Sequence, residues 1–444
     1  MITAMTTTNG QRWLLRGGTV HDGLGSPGRR ADVLVVDDRI AEVGTAIDAT
    51  GATPVDCDGL LVCPGFIDAH AHSDAVHLDP EPQPFKVMQG VTTEIVGNCG
   101  ISFAPLTDEA VDDFRRLYGE LAGSVPIEPG TMGELMDRVA ATGPSNNLAF
   151  LVGHGTVRLS ANGLEPKLRP GALERMQQLV AEAFEAGALG LSSGLIYVPG
   201  TYGDTDELVA LASVAATYGG LYTTHMRDEG THVTDSLDEA FSIGRRAGVS
   251  VQISHCKAAG HAAHGLGEAI VERIESARND GLDVLGDQYP YSAGSTVLLA
   301  LLPSAASSGG SGELRRRLSD TAERERLHSI ANAGGAGAGV WHQVTPADVM
   351  LASHVEEGMA GRTLVELSAG RDPWDVLCDL VLADPGAVIV LEMMDEADVR
   401  RIMSSPLVGI GSDNGPPHGM QHPRTWGCFP HLLGTYVREL GVIT

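Results

Sequence analysis

Residues 65–72 read GFIDAHAH, a strand that ends on two histidines spaced i, i+2. Side chains alternate along a strand, so His70 and His72 project from one face and both imidazoles can reach one ion. The stretch also divides the chain into two patterns. Before it, residues 1–63 read as short strands (Trp13–Leu15, Asp32–Val36, Ile40–Val43) separated by Gly- and Asp-rich turns such as GGTVHDG. Helical periodicity is scarce there, which predicts a small β domain. After it, apolar strands alternate with amphipathic helices. The strand candidates are Gly65–His70, Thr92–Val96, Leu148–Gly153, Leu189–Ser192, Leu221–His225, Val249–His255, Leu282–Asp287 and Leu407–Ser412. Helical patterns such as Ala172–Gly187 and Asp235–Ala247 lie between them. This α/β order predicts a (β/α)8 TIM-like barrel over residues 64–444. Its last crossover is a long insertion at about residues 290–405, where SAASSGGSG and NAGGAGAG read as loops or flexible connectors.

In such a barrel the C-terminal strand ends converge on the rim where active sites lie. Good metal-ligand types recur there. Cys99 follows TTEIVGN, His225 ends LYTTH, His255 ends VSVQISH and Asp413 follows VGIGS. With His70 and His72, that makes six candidate ligands at five strand ends. Each would be a costly buried polar group without a partner, so a shared metal is favoured over packing. His154 ends the third strand candidate, where a rim role and a structural hydrogen bond are equally open. His77, His232, His261, His264, His328, His342, His354 and His431 have no such placement and read as packing or surface residues.

Composition narrows the partners. The 444 residues include 57 acidic and 30 basic side chains, for a net charge of −27. Nucleic acid and anionic membranes both need a cationic footprint, so neither is expected. Only Lys86, Lys167 and Lys257 are lysines. None stands in a GxxxxGK[ST] motif, which excludes a P-loop enzyme. The six cysteines form no CxxC pair, which excludes zinc-ribbon and thioredoxin motifs. The N-terminal residues show no apolar signal segment, and no apolar run is long enough to span a membrane. A cytoplasmic protein is the expectation.

The ligand pattern resembles the amidohydrolase superfamily: HxH on the first strand, histidines on the fifth and sixth, aspartate on the eighth. Many binuclear members bridge their metals with a carbamylated lysine. No lysine ends the fourth strand here, and GNCG offers Cys99 instead. HxH followed by QGVTTEIVGNCG, SSGLIYVPG, THMRDE, SHCK, DQYPYSAGST, GSDNG and HPRTWGCFPHLLGTYVRE is similar to the N-acyl-D-amino-acid deacylases (D-aminoacylases), in that family's order. The resemblance implies zinc-dependent hydrolysis of N-acyl-D-amino acids to a carboxylate and a free D-amino acid. It implies a tightly bound Zn2+ on Cys99, His225 and His255, and a weaker second metal on His70, His72 and Asp413. Asp413 would be general base and then general acid. Lys257, Tyr197, Tyr289, Ser295 and Arg424 would hold the substrate, including its carboxylate.

Two departures stand out. Asn414 follows the aspartate where the family usually has glycine. The return strands that follow the last helix in relatives are not found, so the small domain is expected to be incomplete, with an exposed sheet edge and reduced stability. Three other readings remain at this stage. Gly190–Gly194 fits GxSxG, although the following LIYVPGTYG does not suit the helix that a nucleophile elbow requires. A dihydroorotase-, hydantoinase- or dipeptidase-like amidohydrolase could share the ligands. A non-catalytic truncated homologue is the third. The acyl group, side-chain preference and oligomeric state are not encoded in any motif.

Overall fold

The computed structural model describes residues 10–79, 81, 83–417 and 420–444. Residues 1–9, which begin both the stretch read for a signal segment and the small β domain, lie outside them. Described residues up to Phe66 form one compact unit, and Ile67–Thr444 form another.

In the first unit, β1 (Arg12–Val20) pairs antiparallel with β2 (Arg29–Val36), which pairs antiparallel with β3 (Arg39–Gly44). On its other side β1 pairs parallel with β4 (Thr53–Asp56) and β5 (Leu61–Val62). All four residues of β4 are exposed, and among the described residues it pairs with β1 alone.

The second unit carries the barrel. Its strands are β6 (Phe66–Asp68), β7 (Val91–Val96), β8 (Asn147–Gly153), β9 (Gly190–Gly194), β10 (Leu221–His225), β11 (Ser250–Ile253) and β12 (Val284–Gln288). The insertion follows, with β13 (Ala293–Val297), β14 (Val349–Leu351) and β15 (Val388–Glu392), and β16 (Val408–Ile410) completes the ring. Neighbours run β16-β12-β11-β10-β9-β8-β7-β6, the order of a parallel eight-stranded barrel. Crossover helices bury the faces their periodicity predicts. Ala172–Glu185 buries Met176, Leu179, Val180 and Ala183, then stops where Gly187 turns through a positive φ of 111°.

The first and last strands are not joined by a regular ladder. Single backbone bonds span the seam instead: Ala69 N to Ile410 O (3.2 Å), Asp413 N to His70 O (2.7 Å) and His72 N to Asn414 O (2.9 Å). Two metal-ligand candidates on one side and one on the other therefore flank the place where the barrel closes.

The insertion is more ordered than its sequence suggests. β13, β15 and β14 form an antiparallel sheet. Helices Ser311–Leu318, Thr321–Ala333 and Pro373–Ala383 bury Leu318, Leu327 and Leu377 around Trp341 and Trp374. The two low-complexity stretches run mostly as turns between these helices. At Gly339 (φ 73°), for example, an added Cβ would lie 2.5 Å from the Leu302 carbonyl oxygen. Among the described residues, no helix is long and apolar enough to cross a membrane.

Candidate active site

The six ligand-type residues all lie at or just past the C-terminal ends of barrel strands. His70 and His72 follow β6, Cys99 follows β7, His225 ends β10, His255 follows β11 and Asp413 follows β16. Three of them turn through the left-handed backbone region: Cys99 (φ 54°), His255 (φ 36°) and Asp413 (φ 50°). Such conformations cost about 1–3 kcal/mol each for non-glycine residues and persist only where the surroundings impose them. At Cys99 the imposing groups are visible. A Cβ on Gly97 would lie 2.2 Å from Leu151 O, and one on Gly194 would lie 2.0 Å from Cys99 O. The glycines of GNCG and GLSSG let backbone pack on backbone there, and this contact aims the thiol inward.

Ser192 belongs to the same packing. It is buried, accepts a hydrogen bond from Gly100 N (3.0 Å) and donates one to Gly97 O. Its hydroxyl is committed to the Cys99 loop, and a turn rather than a helix follows, so GxSxG is not a nucleophile elbow here. His154 also resolves. It opens the helix His154–Asn162, and its Nε2 lies 2.7 Å from buried Glu207. Its role is structural.

The donor atoms converge. Cys99 Sγ is 3.3 Å from His70 Nε2 and 3.5 Å from His255 Nε2. Asp413 Oδ1 is 3.5 Å from His70 Nε2 and 3.3 Å from His72 Nε2. One donor atom each from His70, Cys99, His255 and Asp413 lies within 4.8 Å of all the others, and His225, Glu229 and His255 form a second such group. Neither ring nitrogen of His225 has a hydrogen-bond partner of good geometry, though its Nε2 lies 3.4 Å from Glu229. A buried imidazole left open beside a thiol, three more imidazoles and a carboxylate is a donor set suited to zinc.

Three participants lie outside the candidate ligand set read from the sequence. Glu229 lies 2.8 Å from His255 Nδ1 and accepts two 2.8 Å bonds from Lys257 Nζ. Asp287 accepts from His255 N (2.8 Å) and lies 3.3 Å from His70 Nδ1. Lys86 is buried behind the HxH strand. Glu229 and Asp287 stand inside THMRDE and DQYPYSAGST, so a search for acids near the paired histidines would have found them.

The residues expected to hold substrate surround the same space. A cavity is lined by His72, Cys99, Tyr197, Ser295, Asp413 and Arg424. An adjoining recess adds His225, His255, Lys257 and Tyr289. The cations are not free in it, contrary to the simplest form of the expectation. Lys257 is paired with Glu229, and Arg424 Nη1 lies 2.8 Å from Asp413 Oδ2. Among the described residues, Arg424 Nε and the Tyr289 hydroxyl are buried donors without a hydrogen-bond partner. The guanidinium sits 4.6 Å from the centre of the Tyr289 ring.

The amidohydrolase family model matches residues 53–287. The chain is 37% identical over 435 residues to D-aminoacylase of Alcaligenes xylosoxydans xylosoxydans, covering 97% of this chain and 80% of that protein. It belongs to the D-aminoacylase family of amidohydrolases. The N-acyl-D-glutamate deacylase of the same organism is also 37% identical, covering 97% of this chain and 79% of that one. The fold agrees with the crystal structure of N-acyl-D-glutamate deacylase from Bordetella bronchiseptica, complexed with zinc and a phosphonate inhibitor that mimics the tetrahedral intermediate. The TM-score is 0.80 at 32% identity, over 97% of this chain and 82% of that one.

In this D-aminoacylase-family chain the charges of the site sustain one another. Burial opposes a thiolate at Cys99, but His70 and His255 outweigh it and hold the thiol well below its usual range. Burial pulls His72 down, yet Asp413 and Cys99 raise it to about 9. Burial and Lys257 both lower His255, and Glu229 and Cys99 still bring it to about 8. Asp413 stays well below the ordinary carboxylate range despite burial, chiefly through Arg424 and His72. Protons and a divalent cation would compete for these atoms.

Proposed function

We propose that this chain hydrolyses the amide bond of N-acyl-D-amino acids in a zinc-dependent reaction, releasing a carboxylate and a free D-amino acid. The observation that carries the reading is the convergence of the ligand cluster, Arg424 Nε and the Tyr289 hydroxyl on the cavity and its adjoining recess. The names of its relatives, and the zinc in the glutamate deacylase structure, support it. Cys99, His225 and His255 would hold one ion. His70, His72 and Asp413 would hold a weaker second one. Zinc bound in such a set supplies Lewis acidity, which polarises an amide carbonyl and makes water a nucleophile at neutral pH.

The chain's own residues do the rest. Asp413, ionised and aimed at the cavity, accepts a proton from the attacking water and returns it to the departing nitrogen. Arg424 and Tyr289 donate to the substrate's carboxylate through the N–H and O–H that the protein leaves unpartnered. A guanidinium suits that task because its planar fork matches a carboxylate. Lys257 and Glu229 fix the orientation of His255. Tyr197, whose hydroxyl lies 2.9 Å from Thr296 Oγ1, and Ser295 line the wall where the substrate passes.

The test is a panel of N-acetyl amino acids in both chiralities, read by amine release, with zinc counted in the same samples. Release from the D series that is lost on chelation and restored by zinc supports the reading. Faster release from the L series would overturn it, as would zinc content with no hydrolysis of either series.

A further inference from the structure

We infer that Lys86 is a positioning residue for Asp413, acting through the two chain neighbours of that aspartate. The inference rests on the reading of Asp413 as metal ligand and proton carrier.

Lys86 Nζ is buried and donates to three acceptors, which uses all three of its N–H bonds. One is the carboxylate of Asp68, on β6. The second is Ser412 Oγ at 2.8 Å, and the third is Asn414 Oδ1 at 2.6 Å. Ser412 and Asn414 are the residues on either side of Asp413. Ser412 is held a second time, since its backbone N donates to Asp68 Oδ1 at 2.8 Å. Asp413 itself sits at a φ of 50°. A residue in that conformation needs its flanks fixed, and one ammonium fixes both. Glu94 Oε2 on β7, 3.5 Å from Nζ, supplies further negative charge.

The placement matters because the clamp bridges the seam of the barrel. His70 and His72 lie on one side of the seam and Asp413 on the other. His225 and His255 lie at the ends of strands that the Lys86 ammonium does not touch, and Cys99 lies in the loop after β7, five residues past the Glu94 that pairs with that ammonium. Loosening the clamp would therefore displace Asp413 and spare the other ion position. The Asn414 amide takes part because this chain has a side chain there, so glycine at that place could not accept the third bond.

The experiment compares Lys86→Met, Asn414→Ala and the double variant with the parent enzyme. In Lys86→Met, kcat should fall about 10–100-fold, the range for residues that orient a metal ligand. KM should change by less than about threefold, because interactions formed only in the transition state are the ones lost. Cobalt(II) titration followed by visible absorption should show the first equivalent bound as in the parent and the second bound more weakly. The double variant should be no slower than the slower single variant. If Lys86→Met retains kcat within about threefold, or loses both cobalt equivalents alike, the inference is overturned. If Lys86→Met does not fold, Asn414→Ala decides: a kcat lowered more than about threefold with KM held supports it, and a smaller change refutes it. A parent inactive on every N-acyl-D-amino acid would refute the functional reading alone, and the cobalt titration would then decide the positioning role.

Discussion

Replacing Glu229 with glutamine should weaken zinc binding and destabilise the fold, by different amounts that can be measured separately. Glu229 is buried and touches three charged or ligand groups: Lys257 Nζ at 2.8 Å from both oxygens, His255 Nδ1 at 2.8 Å and His225 Nε2 at 3.4 Å. Its carboxyl is held well below the ordinary range, against burial, by His225, Lys257 and His255, so it carries its charge throughout the working pH range. Glutamine keeps the size and one acceptor oxygen but removes that charge. A group that orients a ligand histidine typically contributes about 10–100-fold in metal affinity. That range corresponds to about 1.4–2.7 kcal/mol. The effect on stability is larger. Lys257 is left buried with no counter-charge, and breaking a buried pair in this way costs about 3–5 kcal/mol. Zinc affinity is read by competition with a chromophoric chelator, and stability by urea unfolding of the chelator-treated protein. Glu229→Gln/Lys257→Met should recover most of the stability, since both buried charges are then gone, but not the zinc affinity. Zinc binding within about threefold of the parent, together with an unchanged urea midpoint, would refute the reasoning.

His72 and His255, raised to about 9 and about 8, contribute stability that is full below the ordinary histidine value of 6.5 and is lost as pH rises through those values. The thermal midpoint of chelator-treated protein should accordingly fall between pH 6.5 and 9, while zinc affinity climbs as the imidazoles lose protons; a rising midpoint contradicts this. The cavity also sets a side-chain preference. Ile101, Leu121, Val297 and Val388 line it, and the cations described there, Arg424 and Lys257, are already paired with acids. N-acetyl-D-leucine should exceed N-acetyl-D-glutamate in kcat/KM by about tenfold or more, because a second carboxylate would be buried without a partner; equal values in a competition assay would sink the idea. Ser192→Ala should destabilise the Cys99 loop by about 1–3 kcal/mol and leave turnover sensitive to chelators, whereas chelator-resistant loss of all turnover would restore a serine nucleophile.

The barrel was legible because alternation of apolar strands with amphipathic helices is a local pattern, and the ligand types stand at strand ends. Motif reading brought together His70, His72, Cys99, His225, His255 and Asp413, which the structure finds around one space. What escaped it depends on contacts distant in sequence. Lys86 reads as one lysine in a helix-like stretch, and its partner Ser412 lies 326 residues away. Glu229 sits in a loop past the end of β10, where periodicity carries no information, and Asp287 sits on β12, where alternation marks a face but no partner. The internal structure of the insertion was not legible for another reason: glycine and serine runs carry no periodicity, and the close approach of Gly339 to the Leu302 carbonyl depends on residues distant in sequence.

The left-handed turns at Cys99, His255 and Asp413 also bear on how this protein would be mutated. Alanine at any of them removes a side chain while leaving the unfavourable backbone in place. Glycine removes the side chain and relieves the backbone too. Alanine and glycine at one position thus form a matched pair, and the difference in their unfolding free energies isolates what the rim spends on pointing its ligands inward.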